Sequence, residues 1–188
     1  VGIGGYHDLG EAIAFFTTGS YREKAGAPWR YREPNAYGKW IFVLSNTHRL
    51  EDAHDRATLK QMARRKLDDR AAAIDDLIGA LGPEGRAVHA LITNKDADRV
   101  PALIVALPDG VRREIAALDL GRRDLSGLRT RLILVHGRDD AIIPYTESRR
   151  LAAAAPPGRA RLYLVDNLMH AELTAPGLWD AIGLWRAV

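Results

Sequence analysis

The sequence predicts an α/β protein: a parallel sheet interrupted by a large all-helical insertion. Three stretches support this. From about residue 128 the chain reads strand "RLILVH", loop "GRDDAII", helix "PYTESRRLAAAA", breaker "PPG", strand "RLYLV", loop "DNLMHAEL" and a last helix through "LWDAIGLWRAV". Strand, helix, strand and helix joined by short connections form the βαβ grammar of a parallel sheet. The opening, "VGIGGYHDLGEAIAFF", reads as the end of a strand, a glycine pair and a short amphipathic segment. Between them lies roughly a hundred residues of helical periodicity without a competing strand signal. The expected organisation is a core segment over 1–16, an all-helical insertion over 17–127 and a second core segment over 128–188.

Within the helical zone, breaks fall at Gly19, Pro34, Asn46 to Arg49, Gly82-Pro83, Pro101 and Pro108-Asp109-Gly110. They divide it into helices near 35–46, 51–67, 70–81, 84–93, 97–107 and 109–118. Pro83 and Pro101 suit a first helical turn, where proline's missing N–H costs nothing, and Asp109 suits an N-terminal end.

At 188 residues with 47% hydrophobic residues, the chain can build a sizeable core. It has no cysteine, which excludes disulfides and thiolate metal sites and fits a cytoplasmic location. Its longest apolar stretches, such as Pro101 to Pro108, fall far short of the ~20 residues that span a bilayer, so no membrane partner is expected. The net charge of +3 is modest and its arginines are scattered among acids, so nucleic acid is not implied either. The densest basic run, Arg56, Lys60, Arg64, Arg65, Lys66 and Arg70, interleaves with Leu59, Met62, Ala63 and Leu67 at helical spacing and reads as a solvated face.

The chemistry is concentrated after the two strands of the C-terminal segment. The stretch "ILVHGRDDAIIP", 133–144, sets Asp139 and Asp140 directly after an apolar strand, and Asp166 and His170 follow the next one. Loops after neighbouring parallel strands lie side by side, so an acid and a histidine about thirty residues apart can meet there. A buried carboxylate would fix one imidazole tautomer and stabilise the imidazolium formed when the ring takes a proton. Asp139 and Asp166 read as turn residues. Asp8 is an alternative acid, set against a role as the cap of a helix beginning near Leu9. His7 beside Asp8, and His48 and His54 six apart, do not have metal-ligand spacing, and no metal is expected. Phe15, Phe16, Trp29, Trp40, Phe42 and the stripe Val88, Leu91, Ile92 read mainly as core, with some available to line an acyl or alkyl pocket.

"HGRDDAIIP" followed by "LVDNLMH" resembles the C-terminal third of the α/β-hydrolase family, with Gly137, Asp140, Ile143 and Pro144 matching its G-x-x-D-x-x-[IV]-P acid loop. The opening "VGIGGYHDL" is similar to the segment after the preceding strand, and the helical zone to the cap that many members insert. The resemblance implies a partial parallel α/β-hydrolase sheet, Asp140 as triad acid, His170 as base, a small ester or acyl substrate and no cofactor. Only Ser20, Ser45, Ser126 and Ser148 are present, and none lies in G-x-S-x-G, the motif of the strained elbow that presents the nucleophile. The expectation is therefore the Asp–His half of a serine-hydrolase site, inactive by itself, with either a missing N-terminal half or a second copy as partner. The alternatives are a carboxylate-nucleophile hydrolase, such as a dehalogenase or epoxide hydrolase, and a non-catalytic binding module on the same fold.

Overall fold

A computed structural model of the chain describes residues 1–166, 168, 169, 172 and 173. The molecule is mixed α/β and divides into two compact units. The first comprises Val1–Phe15, Gly19–Glu33 and the chain from Asp119 onward; the second comprises Phe16–Thr18 and Pro34–Leu118.

The first unit is built on a small parallel sheet. Strand β1 (Gly2–Ile3) leads through a glycine turn into helix α1 (Leu9–Thr18), followed by the short antiparallel pair β2 (Ser20–Tyr21) and β3 (Arg30–Tyr31). Gly4 sits at φ 61°, a left-handed conformation that glycine adopts without penalty, and its N–H still donates to the Val135 carbonyl at 3.0 Å. The expected strand–helix–strand run appears as β4 (Leu132–Gly137), helix α8 (Tyr145–Ala154) and β5 (Ala160–Val165). Its sheet order is β1-β4-β5, all parallel. Val135, Val165 and Leu168 form its buried apolar centre, with Ile133 and Tyr163 packed on them. Beyond β5, the pair β6 (Leu168–Met169) and β7 (Glu172–Leu173) runs antiparallel. The last expected helix lies outside the described residues.

The second unit is helical: α2 (Ala36–Asn46), α3 (Ala53–Asp68), α4 (Asp75–Ile78), α5 (Pro83–Thr93), α6 (Val100–Val105) and α7 (Asp109–Leu118). Five of the six expected helices appear with ends shifted by a few residues, the segment near 97–107 beginning as a 3₁₀ turn over Ala97–Arg99. The helix expected over 70–81 contracts to the single turn 75–78. Side-chain capping explains part of this: Asp69 Oδ1 accepts from Ala71 N at 2.8 Å, an Asx turn that competes with helical hydrogen bonding. Between the two stretches of the second unit, Gly19–Glu33 turns back as the β2–β3 pair and belongs to the first.

The apolar stripe of α3 is buried at Leu59, Met62 and Ala63, while Arg64 and Arg70 are exposed. Burying three such side chains stabilises the unit by several kcal/mol at roughly 1.5–3 kcal/mol for each large one. Among the described residues no helix is long and apolar enough to cross a membrane.

Candidate functional site

The carboxyl ends of β4 and β5 hold the candidate site, and one glycine brings their loops together. A Cβ on Gly137 would lie 1.9 Å from the Leu168 carbonyl oxygen, so only glycine lets the chain after β5 pass over the end of β4. Arg138 N donates to Val165 O at 2.7 Å and carries the ladder one step further into the loop. The acid loop then folds on itself. Asp140 is 1% exposed, and its Oδ1 accepts from Ile142 N at 2.8 Å and Ile143 N at 3.0 Å. Two amide donors on one oxygen hold the carboxylate in place. Pro144 ends the loop at the N-terminal boundary of α8.

The other carboxylate oxygen faces a residue that sequence reasoning did not select. His136, the fifth residue of β4, is fully buried, and its Nε2 lies 3.3 Å from Asp140 Oδ2 and 3.0 Å from the Ile143 carbonyl. Its Nδ1 lies 2.7 Å from Ser148 Oγ on α8, and Ser148 Oγ–H donates to the Gly5 carbonyl at 3.0 Å. A serine, a histidine and an acid are thus in line, but Ser148 and His136 are both 0% exposed and Asp140 only 1%, so no substrate reaches this serine. The trio ties together α8, β4, the acid loop and the loop after β1. The only sequence signal was a histidine closing an otherwise apolar strand.

The remaining predicted residues fall as follows. His170 lies outside the described residues. Asp8 caps α1, its Oδ1 accepting from Glu11 N at 3.0 Å. Asp139, expected to be a solvated turn residue, is half-buried, and its Oδ1 is buried without a hydrogen-bond partner among the described residues, because the chain after β5 covers the turn. Asp166 is exposed and lies 3.7 Å from Arg138. His54 Nε2 contacts the Ala80 carbonyl at 2.9 Å. Among the described residues no three His, Asp or Glu side chains are grouped to hold a metal ion.

Glu147, next to Ser148, was also missed. It is 1% exposed, and its Oε2 accepts from His7 N at 3.1 Å and Asp8 N at 2.7 Å, anchoring the loop after β1 to α8. Arg150 lies 3.1 Å from its other oxygen. Burial outweighs these partners and pushes the Glu147 carboxyl up to about 7 from an ordinary 4.5.

In the helical unit, Phe42, Val88, Leu91 and Ile92 do line a cavity together, with Val43, Leu59 and others, but its free volume is about 20 Å³. That is room for about one water, not for an acyl chain. Comparison with protein-family models, curated proteins and solved structures finds no match to this chain.

Proposed function

We propose that the chain carries the acid and base of an α/β-hydrolase site acting on a small ester or acyl substrate. In this reading Asp140 orients His170, and His170 moves a proton to and from a serine nucleophile. The observation that supports it is the position of Asp140: a buried carboxylate, braced by two amides at the carboxyl end of a parallel strand, with the chain after the neighbouring strand laid directly over Gly137. His170 follows that chain by two residues. Since none of the four serines has the elbow motif and Ser148 is sealed, the reading assigns the nucleophile to a partner, either an N-terminal half of the family type or a second copy of this chain. The helical unit takes the place of the family's cap, and no cofactor enters the proposed chemistry.

The burial of Asp140 with His136 supports a second reading, in which the acid only holds the loop and the fold serves as a non-catalytic binding module. Nuclear magnetic resonance of the His170 ring separates the two. The hydrolase reading expects a strongly deshielded, exchange-protected ring N–H on His170 that disappears in Asp140→Asn. A His170 ring that behaves as a free imidazole in both proteins would sink the hydrolase reading.

A further inference from the structure

The contacts around His136 bear on how many protons its ring carries. Ser148 has one hydroxyl hydrogen, and the Gly5 carbonyl 3.0 Å away can only accept. If Ser148 donates there, its oxygen must accept from His136 Nδ1, 2.7 Å away, so Nδ1 bears a proton. On the opposite side, Nε2 faces the Ile143 carbonyl at 3.0 Å and Asp140 Oδ2 at 3.3 Å, both acceptors, so Nε2 bears a proton as well. A neutral ring protonated only at Nε2 would set the Ser148 and Gly5 oxygens against each other without a hydrogen between them. One protonated only at Nδ1 would leave its bare nitrogen against two oxygen acceptors in a site closed to water. Only the doubly protonated ring leaves no such contact, and an unmet contact in a buried site is costly.

We infer that His136 is a buried imidazolium, the counter-ion and positioning residue of Asp140, which fixes Oδ2 while the amides of Ile142 and Ile143 fix Oδ1. Among the described residues, two charged side chains stand near this pair. Glu147, adjacent on α8, turns its carboxylate to the His7 and Asp8 amides and to Arg150, and Arg32 donates to the backbone carbonyl of Asp140 at 3.4 Å. With the carboxylate plane set from both sides, Asp140 is held in one orientation. The functional meaning of that orientation rests on the hydrolase reading; the protonation state does not.

Long-range proton–nitrogen correlation of the His136 ring, assigned through its contacts to Ile143 and Ser148, tests the inference on the unaltered chain. Both ring nitrogens are expected to be protonated, and a bare nitrogen at either position overturns the inference. In Asp140→Asn the ring should lose one of its two protons; an imidazolium that persists there shows that Asp140 is not its counter-ion. Ser148→Ala removes the acceptor at Nδ1 and should leave a neutral ring protonated at Nε2, whereas a ring that keeps both protons overturns the donor count. The unaltered-chain measurement decides even if both variants fail to fold. A neutral His136 beside a His170 still bonded to Asp140 would remove this inference alone; a cationic His136 with His170 independent of Asp140 would remove the hydrolase reading alone.

Discussion

Asp140 in the sheet unit and Asp55 in the helical unit are both almost fully buried, and both accept two backbone N–H groups. Asp55, in the first turn of α3, accepts from Gly82 N at 2.6 Å on Oδ1 and from Gly85 N at 2.7 Å on Oδ2. It caps the N-terminus of α5 from another helix, where the amides lack helical partners and the helix dipole favours negative charge. Its two oxygens are each spent on one amide. Asp140 takes both amides on one oxygen, from its own loop, and turns the other toward His136. Burial and amide bonds therefore do not mark a site by themselves. What distinguishes Asp140 is an oxygen directed at a titratable side chain, at the end of a parallel strand.

A glycine near each acid gives the largest expected effects. A Cβ at Gly137 would meet a backbone carbonyl at 1.9 Å, which cannot give way without moving the chain after β5. Gly137→Ala should cost upward of about 4 kcal/mol, the range of severe single-site lesions. A Cβ at Gly85 would meet Asp55 Oδ1 at 2.6 Å and Leu81 Cδ2 at 2.7 Å, ends of side chains that can shift. Gly85→Ala should cost about 2 kcal/mol, as overpacking does. Urea unfolding of the two variants checks the ranking; equal losses would mean that the loop over Gly137 yields as easily as a side chain.

Glu147 extends the comparison to a third buried acid, one whose partners do not offset its burial. Its folded-state carboxyl is pushed up to about 7 from 4.5, so between those values the folded protein binds a proton that the unfolded chain has released. Stability should then fall as pH rises from 4.5 to about 7 and level off above, by about 3 kcal/mol in all at 1.36 kcal/mol per unit. Glu147→Gln should flatten that slope. Unfolding free energies measured across the window check it, and stability that rises with pH there would reverse the assignment.

The strands β4 and β5, the helix between them and most helix starts were legible because periodicity, proline at the first turn and acidic caps are local signals. The two-residue strands β2 and β3 were not, since nothing in "SY" or "RY" separates a strand from a loop. The turn that carries Asp140 was legible from the spacing of Gly137, Asp140 and Pro144. His136, Ser148, Glu147 and Asp55 were not: Ser148 reaches Gly5, Glu147 reaches His7 and Asp55 reaches Gly82, all distant in the chain, while His136 meets Asp140, Ile143 and Ser148 only once the acid loop and α8 fold back on β4. Asp139 was misread for a related reason, its turn being covered by a segment that joins the site only in three dimensions.

Asparagine substitution sharpens the contrast between the two aspartates. At residue 55 the amides are split between the oxygens, so an asparagine must set its NH₂ against one N–H. Asp55→Asn should cost about 2 kcal/mol, within the usual penalty for a buried donor left unsatisfied. At residue 140 an asparagine oxygen keeps both amides, and its NH₂ faces His136, which can give up a proton. Asp140→Asn should cost about 1 kcal/mol. A larger loss at 140 than at 55 in denaturant titrations would mean that the contact to His136 contributes more than the two amides.

The smallest expected effect is a null one, and it tests whether the sealed trio is as closed as it is drawn. Hydrolysis of an activated ester needs a nucleophile in contact with substrate and donors aimed at the developing oxyanion, a single such donor being worth about 3–4 kcal/mol. In this chain the serine held by a histidine and an acid is Ser148, which is 0% exposed and whose hydroxyl hydrogen is directed to the Gly5 carbonyl. The same burial that holds Asp140 in place keeps that serine from reacting. The 188-residue chain should therefore turn over p-nitrophenyl acetate no faster than buffer, and His170→Ala should change nothing. Turnover lost in Ser148→Ala but kept in His170→Ala would show that the interior trio opens to solvent and acts as a triad in its own right. Turnover lost in His170→Ala but kept in Ser148→Ala would place a working nucleophile at another of the chain's serines, and the need for a partner would disappear.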